Sequence, residues 1–250
     1  MKSPSRVLCC CAFLAVALLP SLRAELPIIT LARAYVGPDA VLDSVEALRM
    51  VGELEVVESG ATAPGTASIE IVFKKPDRQR ITATSEAKTE ITALDGYDAW
   101  SRVSDSTNPS AWQVSLLGAD QIKRLRANTF ENLAFYRGLE SRCARIEERG
   151  TSKVDGVECR KLAFIHGPDI VFLRSFDPAT GRLMLTETDS GTQIREEGEL
   201  RSGGLRFPKR IVTTNTLPDG STRSIRVTFT QIDVNPVIGD EIFALPSLSN

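Results

Sequence analysis

The chain has a single histidine, His166, and this side chain is the first candidate for chemistry. It lies in Ile165-His166-Gly167-Pro168-Asp169, a run that is typical of a turn between strands. A zinc site needs several convergent His and Cys ligands, and the sequence offers none to accompany it. A Ser-His-Asp triad would need an anchoring motif such as Gly-x-Ser-x-Gly, which does not occur. We therefore expect no enzyme activity, no metal site and no cofactor.

Charged residues are grouped in two other places. A small basic patch falls on a predicted hairpin and consists of Lys74, Lys75, Arg78 and Arg80. It could contact an acidic partner, although a solubilised turn is the favoured interpretation. An acidic group alternates along a predicted strand, which indicates a solvated face, and consists of Glu196, Glu197 and Glu199.

The first 24 residues have the pattern of a signal peptide, so we exclude them from the fold. Lys2 and Arg6 form a basic start, Val7–Pro20 is apolar, and Leu22-Arg23-Ala24 is a plausible cleavage site. The apolar run is shorter than the roughly 20 residues of a membrane-spanning helix. The sequence therefore predicts export and a mature chain, residues 25–250, that is soluble in the periplasm.

Removal of this segment changes the charge and the cysteine count. The full chain has 30 Lys and Arg against 32 Asp and Glu, and the segment contains three basic residues and no acidic ones, so the mature net charge is −5. An acidic protein is not suited to non-specific binding of nucleic acid. Cys143 and Cys159 remain, on either side of a predicted hairpin turn near Thr151–Asp155. An exported protein with two cysteines favours a disulfide between them, and two small buried thiols are the alternative.

Strands make up most of the mature chain. The clearest stretch is Ser68–Trp100, in which apolar and polar residues alternate with a period of two. Pro76-Asp77 and Asp95-Gly96 supply turn residues between and after its strands. The same signals recur to the end of the chain, where Gln193–Ser202 is predicted as one strand, and the total is about eleven.

Two main helices are predicted among these strands. The first falls in Ile28–Leu48, with a break at Gly37-Pro38, and the second is Ala119–Arg137. The second has one side that is apolar, with its remaining charged positions, including Glu131, assigned to the exposed side. The aromatic residues of this helix are predicted to be core. No linker or repeat indicates a second domain, so we expect residues 25–250 to form one domain.

The order of several short motifs resembles the LolA/LolB-like lipoprotein-carrier superfamily, in particular its outer-membrane lipoprotein-sorting-like members. The two most distinctive motifs are Phe73-Lys74-Lys75-Pro76-Asp77 and Leu94-Asp95-Gly96-Tyr97-Asp98-Ala99-Trp100. Weaker ones are Tyr35-Val36-Gly37, Val51-Gly52-Glu53-Leu54, Val154-Asp155-Gly156, Phe176-Asp177-Pro178-Ala179-Thr180-Gly181, Gly204-Leu205-Arg206-Phe207-Pro208 and Val234-Asn235-Pro236. The resemblance covers nearly the whole mature chain.

The resemblance implies a mainly β (α+β) fold: one strongly curved antiparallel sheet, an unclosed barrel or half-barrel, with helices covering its concave face. It also implies an apolar cavity between sheet and helices that can hold lipid acyl chains. The positions expected to line such a cavity are Ile69, Ile71, Phe73, Ile91, Ala93, Leu125, Phe130 and Leu133. The alternative is that these residues pack against one another as ordinary core.

Two functions follow from the resemblance and stay open. The first is a periplasmic lipid- or lipoprotein-binding protein that carries lipid or lipoprotein toward the outer membrane. Its partners would be acyl chains and a partner protein in the outer or inner membrane. The second is an interaction or sensor module on the same fold that transports nothing. The basic residue that triggers cargo release in carriers has no matching motif in this sequence.

Overall fold

The computed structural model describes residues 25–58, 65–217 and 219–246. The predicted signal peptide, residues 1–24, lies outside the described residues. No helix within the described ranges is long and apolar enough to cross a membrane.

Fifteen strands and three helices make up the described part of the chain. The helices are α1 (Pro27–Val36), α2 (Asp39–Asp43) and α3 (Ala119–Ala134). The strands are β1 (Ala47–Glu58), β2 (Gly65–Lys74), β3 (Arg78–Thr84), β4 (Lys88–Asp95), β5 (Asp98–Asp105), β6 (Trp112–Leu116), β7 (Arg145–Val154), β8 (Val157–Gly167), β9 (Ile170–Phe176), β10 (Leu183–Thr188), β11 (Gln193–Glu197), β12 (Leu200–Ser202), β13 (Leu205–Phe207), β14 (Arg210–Thr216) and β15 (Thr222–Val234).

Thirteen of these strands form one antiparallel sheet. Its order is β6-β5-β4-β3-β2-β1-β15-β14-β11-β10-β9-β8-β7, so β6 and β7 are the two edges and the barrel is unclosed. Tight turns join neighbours in sequence: Asp155 and Gly156 both have positive φ between β7 and β8, as a two-residue hairpin turn requires. The mainly β half-barrel that the resemblance implied is confirmed.

The predicted count of about eleven strands is wrong. The main sheet has thirteen, and β12 and β13 form a separate two-stranded hairpin. One cause lies in Gln193–Ser202, predicted as a single strand, because Gly198 with φ +66° ends β11 and the chain leaves the sheet before β12. Alternation over three residues is too short to mark a strand in the sequence.

The helices also differ from the two that were predicted. The first helical region is two short helices, and it ends early because Leu48 belongs to β1, where it pairs with Phe73 and Val234. The second stops at Ala134, since Phe135 and Tyr136 adopt the left-handed conformation with φ of 46° and 70°.

The two faces of the sheet are covered differently. Residues that pair across strands share a face, so Leu48, Phe73 and Gln79 point to the side on which α3 lies. We call this the helix face. The main core cluster packs here and includes Leu133 from the helix together with Ile69 and Phe73 from β2.

The opposite face is covered near β2–β5 by residues 235–246, which follow β15 and which we call the C-terminal strap. Trp100 Nε1 donates to the carbonyl of Phe243 at 3.0 Å, and Phe243 is fully buried. The predicted basic patch holds this strap: Lys74 and Arg78 pair with Asp240, and Arg80 donates to the carbonyl of Ile242. The patch therefore binds a segment of its own chain.

The predicted disulfide is wrong, because both cysteines are free. Cys159 is buried on β8 opposite Ser152, whereas Cys143 is exposed and precedes β7, whose first residue Arg145 lies opposite Ile165. Cys159 and Ile165 are six residues apart, which is about 20 Å along a strand. A disulfide needs Cα atoms within about 7 Å, so this register keeps the two thiols apart.

Candidate functional site

Helix α3 crosses the helix face and is held to the sheet largely by polar contacts. Its four buried residues are Ala127, Thr129, Glu131 and Leu133, and two of these are polar. Thr129 Oγ1 donates to Gln79 Oε1 at 3.0 Å, and Asn128 donates to the same oxygen at 3.2 Å. An interface of this composition excludes less apolar surface than an all-aliphatic one, so it is weaker per unit area.

A buried ionic cluster lies beneath the middle of α3. Glu131 accepts hydrogen bonds from His166 Nε2 on β8, at 2.5 Å, and from Arg174 Nη1 on β9. The three side chains are 3%, 6% and 10% exposed. Strand alternation explains the position of His166, since Leu162, Phe164 and His166 share the face that packs on the helices.

Burial alone would raise the pKa of Glu131. The positive charge of Arg174 and the hydrogen bond from His166 outweigh this effect and hold the pKa below its usual value. The carboxylate is therefore ionised and can only accept, so Nε2 of His166 carries the hydrogen.

Aromatic rings surround this cluster. The Arg174 guanidinium lies 4.5 Å from the ring centre of Phe164 and 5.3 Å from that of Tyr136. His166 makes edge contacts with Phe130 and Phe172, at centroid distances of 6.0 and 5.8 Å. Such contacts stabilise a buried cation and fix its position.

A cavity of about 1050 Å³ opens beside the first half of α3, and we call it the α3 cavity. Its wall consists of Asp77, Tyr97, residues 141–143 and residues 166–170. Helix α3 contributes Asp120, Lys123, Arg124, Arg126 and Ala127. His166 therefore belongs both to the buried ionic cluster and to the cavity wall.

Two arginines and one carboxylate form the inner part of the cavity wall. Asp77 accepts from Arg126 at 3.0 Å and from Arg142 at 2.5 Å, and its side chain is 9% exposed. Each guanidinium also stacks on a ring, Arg126 at 3.8 Å from the centre of Tyr97 and Arg142 at 4.8 Å from that of Phe130. Arg142 donates to the carbonyl of Pro76 as well.

Several buried nitrogen atoms at the α3 interface have no partner. Among the described residues, the buried side-chain atoms without a hydrogen bond are all N–H donors, and three of them are Gln79 Nε2, Arg126 Nε and Arg174 Nε. An unpaired buried donor costs about 1–3 kcal/mol. A ligand group that accepts hydrogen bonds would relieve this cost.

The arrangement needed for nucleophilic catalysis is not formed. Ser141 and Cys143 line the same cavity as His166, but Ser141 Oγ donates to the carbonyl of Gly138 at 2.7 Å. In the described part of the chain, no hydrogen bond joins His166 to either side chain, as activation of a nucleophile would require. No three His, Cys, Asp or Glu residues of the described ranges could hold a metal ion together.

The eight residues that were predicted to line an acyl cavity lie in different parts of the structure. Ile69, Phe73 and Leu133 are buried in the main core cluster, with Ile71 partly buried against it, and Phe130 packs at the neighbouring cluster. Leu125 is partly exposed on α3. Ile91 and Ala93 lie on the opposite face, because they pair with Thr82 and Arg80, and pack with Trp100. None of the eight lines the α3 cavity.

The sequence interpretation missed the buried ionic cluster. Glu131 was assigned to the exposed side of the helix, although it stands four residues after the buried Ala127 and thus shares its side. The period of two along β8 could have indicated that His166 is buried, because it places His166 on the same face as Leu162 and Phe164. Nothing in the sequence indicated that Arg174 would meet them.

No protein-family model matches this chain, and no curated protein matches it either. Solved structures do resemble it. A LolA superfamily protein from Nitrosomonas europaea is 15% identical, with 87% of this chain and 96% of that chain covered and a TM-score of 0.58. A DUF1329 family protein from Desulfovibrio piger is 12% identical, with coverage of 87% and 95% and a TM-score of 0.54.

A third structure, from Vibrio parahaemolyticus, is named for outer membrane lipoprotein sorting. It is 10% identical, with 86% of this chain and 95% of that chain covered and a TM-score of 0.53. At these identities the likeness concerns the fold. The chain has the fold of the LolA superfamily, as its motifs predicted.

Proposed function

We propose, from the LolA-superfamily fold, that this protein is exported to the periplasm and binds lipid or the acyl chains of lipoproteins. The supporting observation is the interface between α3 and the sheet, which has a large open cavity on one side and a partly polar, incompletely hydrogen-bonded underside. One structural neighbour, from Vibrio parahaemolyticus, is named for outer membrane lipoprotein sorting, which supports the same function.

The acyl chains would lie between α3 and the helix face. The residues that support this are the six predicted positions on or facing that side: Ile69, Ile71, Phe73, Leu125, Phe130 and Leu133. Ile91 and Ala93 are not part of the proposal, because the sheet separates them from α3. Each buried CH₂ group of a chain would contribute about 0.8 kcal/mol.

Entry of a chain requires α3 to move. Ile69, Phe73 and Leu133 pack in one cluster, so an acyl chain must replace contacts that the helix now makes. The polar contacts along α3 are of a kind that water can replace when the helix separates from the sheet. We therefore assign α3 the role of a lid that is displaced by the ligand.

Transport of lipid or lipoprotein toward the outer membrane is the wider form of this proposal. It would need a partner protein in the inner or outer membrane. A module that only interacts or senses is the second candidate, and the packed cluster beneath α3 favours it, because a filled core has no resident space for an acyl chain.

Native mass spectrometry of protein purified from the periplasm of an expressing bacterium tests lipid binding. We expect a population whose added mass matches lipid. Leu125→Asp, which places a charge on the acyl path, should lose the lipid, whereas the matched control Ala119→Asp, at an exposed α3 position outside the cavity, should keep it. Wild-type protein that carries no lipid and takes up none from added vesicles would exclude this function.

A further inference from the structure

The inner end of the α3 cavity has an excess of positive charge. Arg126 and Arg142 share the single carboxylate of Asp77. Asp77 is nine-tenths buried, so it is fixed between the two guanidinium groups. Arg126 Nε has no hydrogen-bond partner, and one guanidinium charge has no carboxylate of its own.

The neighbouring acids do not neutralise this charge, because they have other partners. Glu131 is bound to Arg174 and His166. At the cavity mouth Asp120 pairs with Lys123, and Asp189 pairs with Arg124, which is also attracted by Asp169. The mouth therefore has two basic groups against three acidic ones, whereas the inner end has two arginines against one carboxylate and is cationic.

The two guanidinium groups are also fixed in place. Arg126 is stacked on Tyr97 and Arg142 on Phe130, while a backbone carbonyl holds Arg142 from another side. Cations that are already positioned lose little conformational entropy when an anion binds. Planar guanidinium groups suit phosphate and carboxylate oxygens in particular.

We infer that the inner end of the α3 cavity binds the anionic group of an amphiphile, a phosphate or carboxylate, through Arg126 and Arg142. This inference depends on the proposed function, because it assigns the polar end of the same ligand. Phe130 connects the two parts: one side of its ring contacts Arg142, and it packs at the edge of the apolar cluster. A chain attached to the bound anion could thus enter beneath α3.

Binding of two amphiphiles with the same chain tests the inference. Dodecyl phosphate and dodecanol differ only in the anionic group, and inorganic phosphate supplies that group alone. We expect dodecyl phosphate to bind at least about tenfold more tightly than dodecanol, since a charge-assisted contact is worth that much. Inorganic phosphate alone should bind more weakly than dodecyl phosphate.

Variants locate the site. Arg142→Gln should remove most of the preference for dodecyl phosphate, and Arg142→Lys should keep most of it. Arg195→Gln, in an ion pair with Asp155 outside the cavity, is the matched control and should change nothing. Asp77 keeps one arginine in each variant, and unchanged dodecanol binding reports that the protein is folded. Arg126→Gln is the second variant if Arg142→Gln fails this check.

The outcomes separate the two proposals. Equal binding of both amphiphiles, unchanged in Arg142→Gln, overturns the inference and leaves lipid binding intact. Binding of neither overturns both. Inorganic phosphate that binds as tightly as dodecyl phosphate would show a site for a free anion, which also contradicts the inference.

Discussion

Two buried arginines, Arg33 and Arg174, hold the helices in place by different means. Arg33 of α1 is 1% exposed and binds Asp39, Asp43 and the carbonyl of Phe135 at 2.6–2.9 Å. Its two carboxylates are more than half exposed. Arg174 binds a carboxylate that is itself buried, Glu131, and its Nε has no partner.

The difference concerns what each arginine joins. Arg33 joins α1 and α2 to the end of α3, so it connects helix to helix with its donors well satisfied. Arg174 joins the middle of α3 to the sheet through an ion pair in which both side chains are buried. Burying both charges costs free energy that the pair only partly recovers. Under the proposed function, the end of α3 would be the anchor and its middle the region that a ligand displaces.

The largest effect is expected from Glu131→Gln. This change removes the carboxylate that the buried Arg174 binds, and breaking a buried pair in this way costs about 3–5 kcal/mol. Urea unfolding at pH 7 measures the loss. The double variant Glu131→Leu/Arg174→Met removes both charges and should recover most of it. A loss below about 1 kcal/mol in Glu131→Gln would mean that the cluster contributes little to stability.

Arg33→Met should have a smaller effect in the same measurement. Its two carboxylates are exposed and can be hydrated again, so the loss is mainly that of hydrogen bonds to backbone carbonyls. We expect about 1–3 kcal/mol. A larger loss than in Glu131→Gln would reverse the comparison between the two arginines.

A third prediction concerns Glu196, a carboxyl on β11 near Arg174. Burial raises the pKa of Glu196, and the charges of Arg174 and Arg182 offset this only in part. A raised pKa means that the folded state is favoured below the ordinary value of 4.5 and loses stability as the pH rises through the raised value. Glu196→Gln should therefore be more stable than the wild type at pH 7, and the difference should vanish in acid.

Glu131 has the opposite dependence, which provides the control. Its pKa is lowered, so its stabilisation is present above the ordinary value of 4.5 and is lost as the pH falls through the lowered value. The stability that Glu131→Gln loses relative to the wild type should therefore become smaller in acid. A difference in the free energy of unfolding between Glu196→Gln and wild type that does not change with pH would contradict the prediction for Glu196.

The overall fold was readable from the sequence because it depends on local signals. Alternation in Ser68–Trp100 and turn pairs such as Asp95-Gly96 identify antiparallel hairpins without knowledge of the rest. Strand number was harder, since β12 and β13 are three residues each. Which face a residue occupies was also hidden where both faces are covered. Val72 and Phe73 are both buried, one toward the strap side and the other toward α3.

The site was less predictable because it depends on contacts between distant segments. Arg174 and Glu131 are 43 residues apart and belong to different elements. A charged residue on a helix is usually exposed, and only its buried partners reveal that it is not. The face that Ile91 and Ala93 occupy was hidden for a similar reason, because an apolar residue of β4 suits the side covered by the C-terminal strap as well as the side of α3.

Tethering α3 to the sheet tests most directly whether the ligand enters beneath this helix. Arg124 and Asp189 form an accessible ion pair between α3 and the turn after β10, with a distance of 2.8 Å. Arg124→Cys/Asp189→Cys, in a chain whose own Cys143 and Cys159 are replaced by Ser and Ala, can be joined by a bismaleimide that a reductant cleaves. We predict that the tethered protein does not bind dodecanol and that cleavage restores binding. Equal binding before and after cleavage would contradict the account.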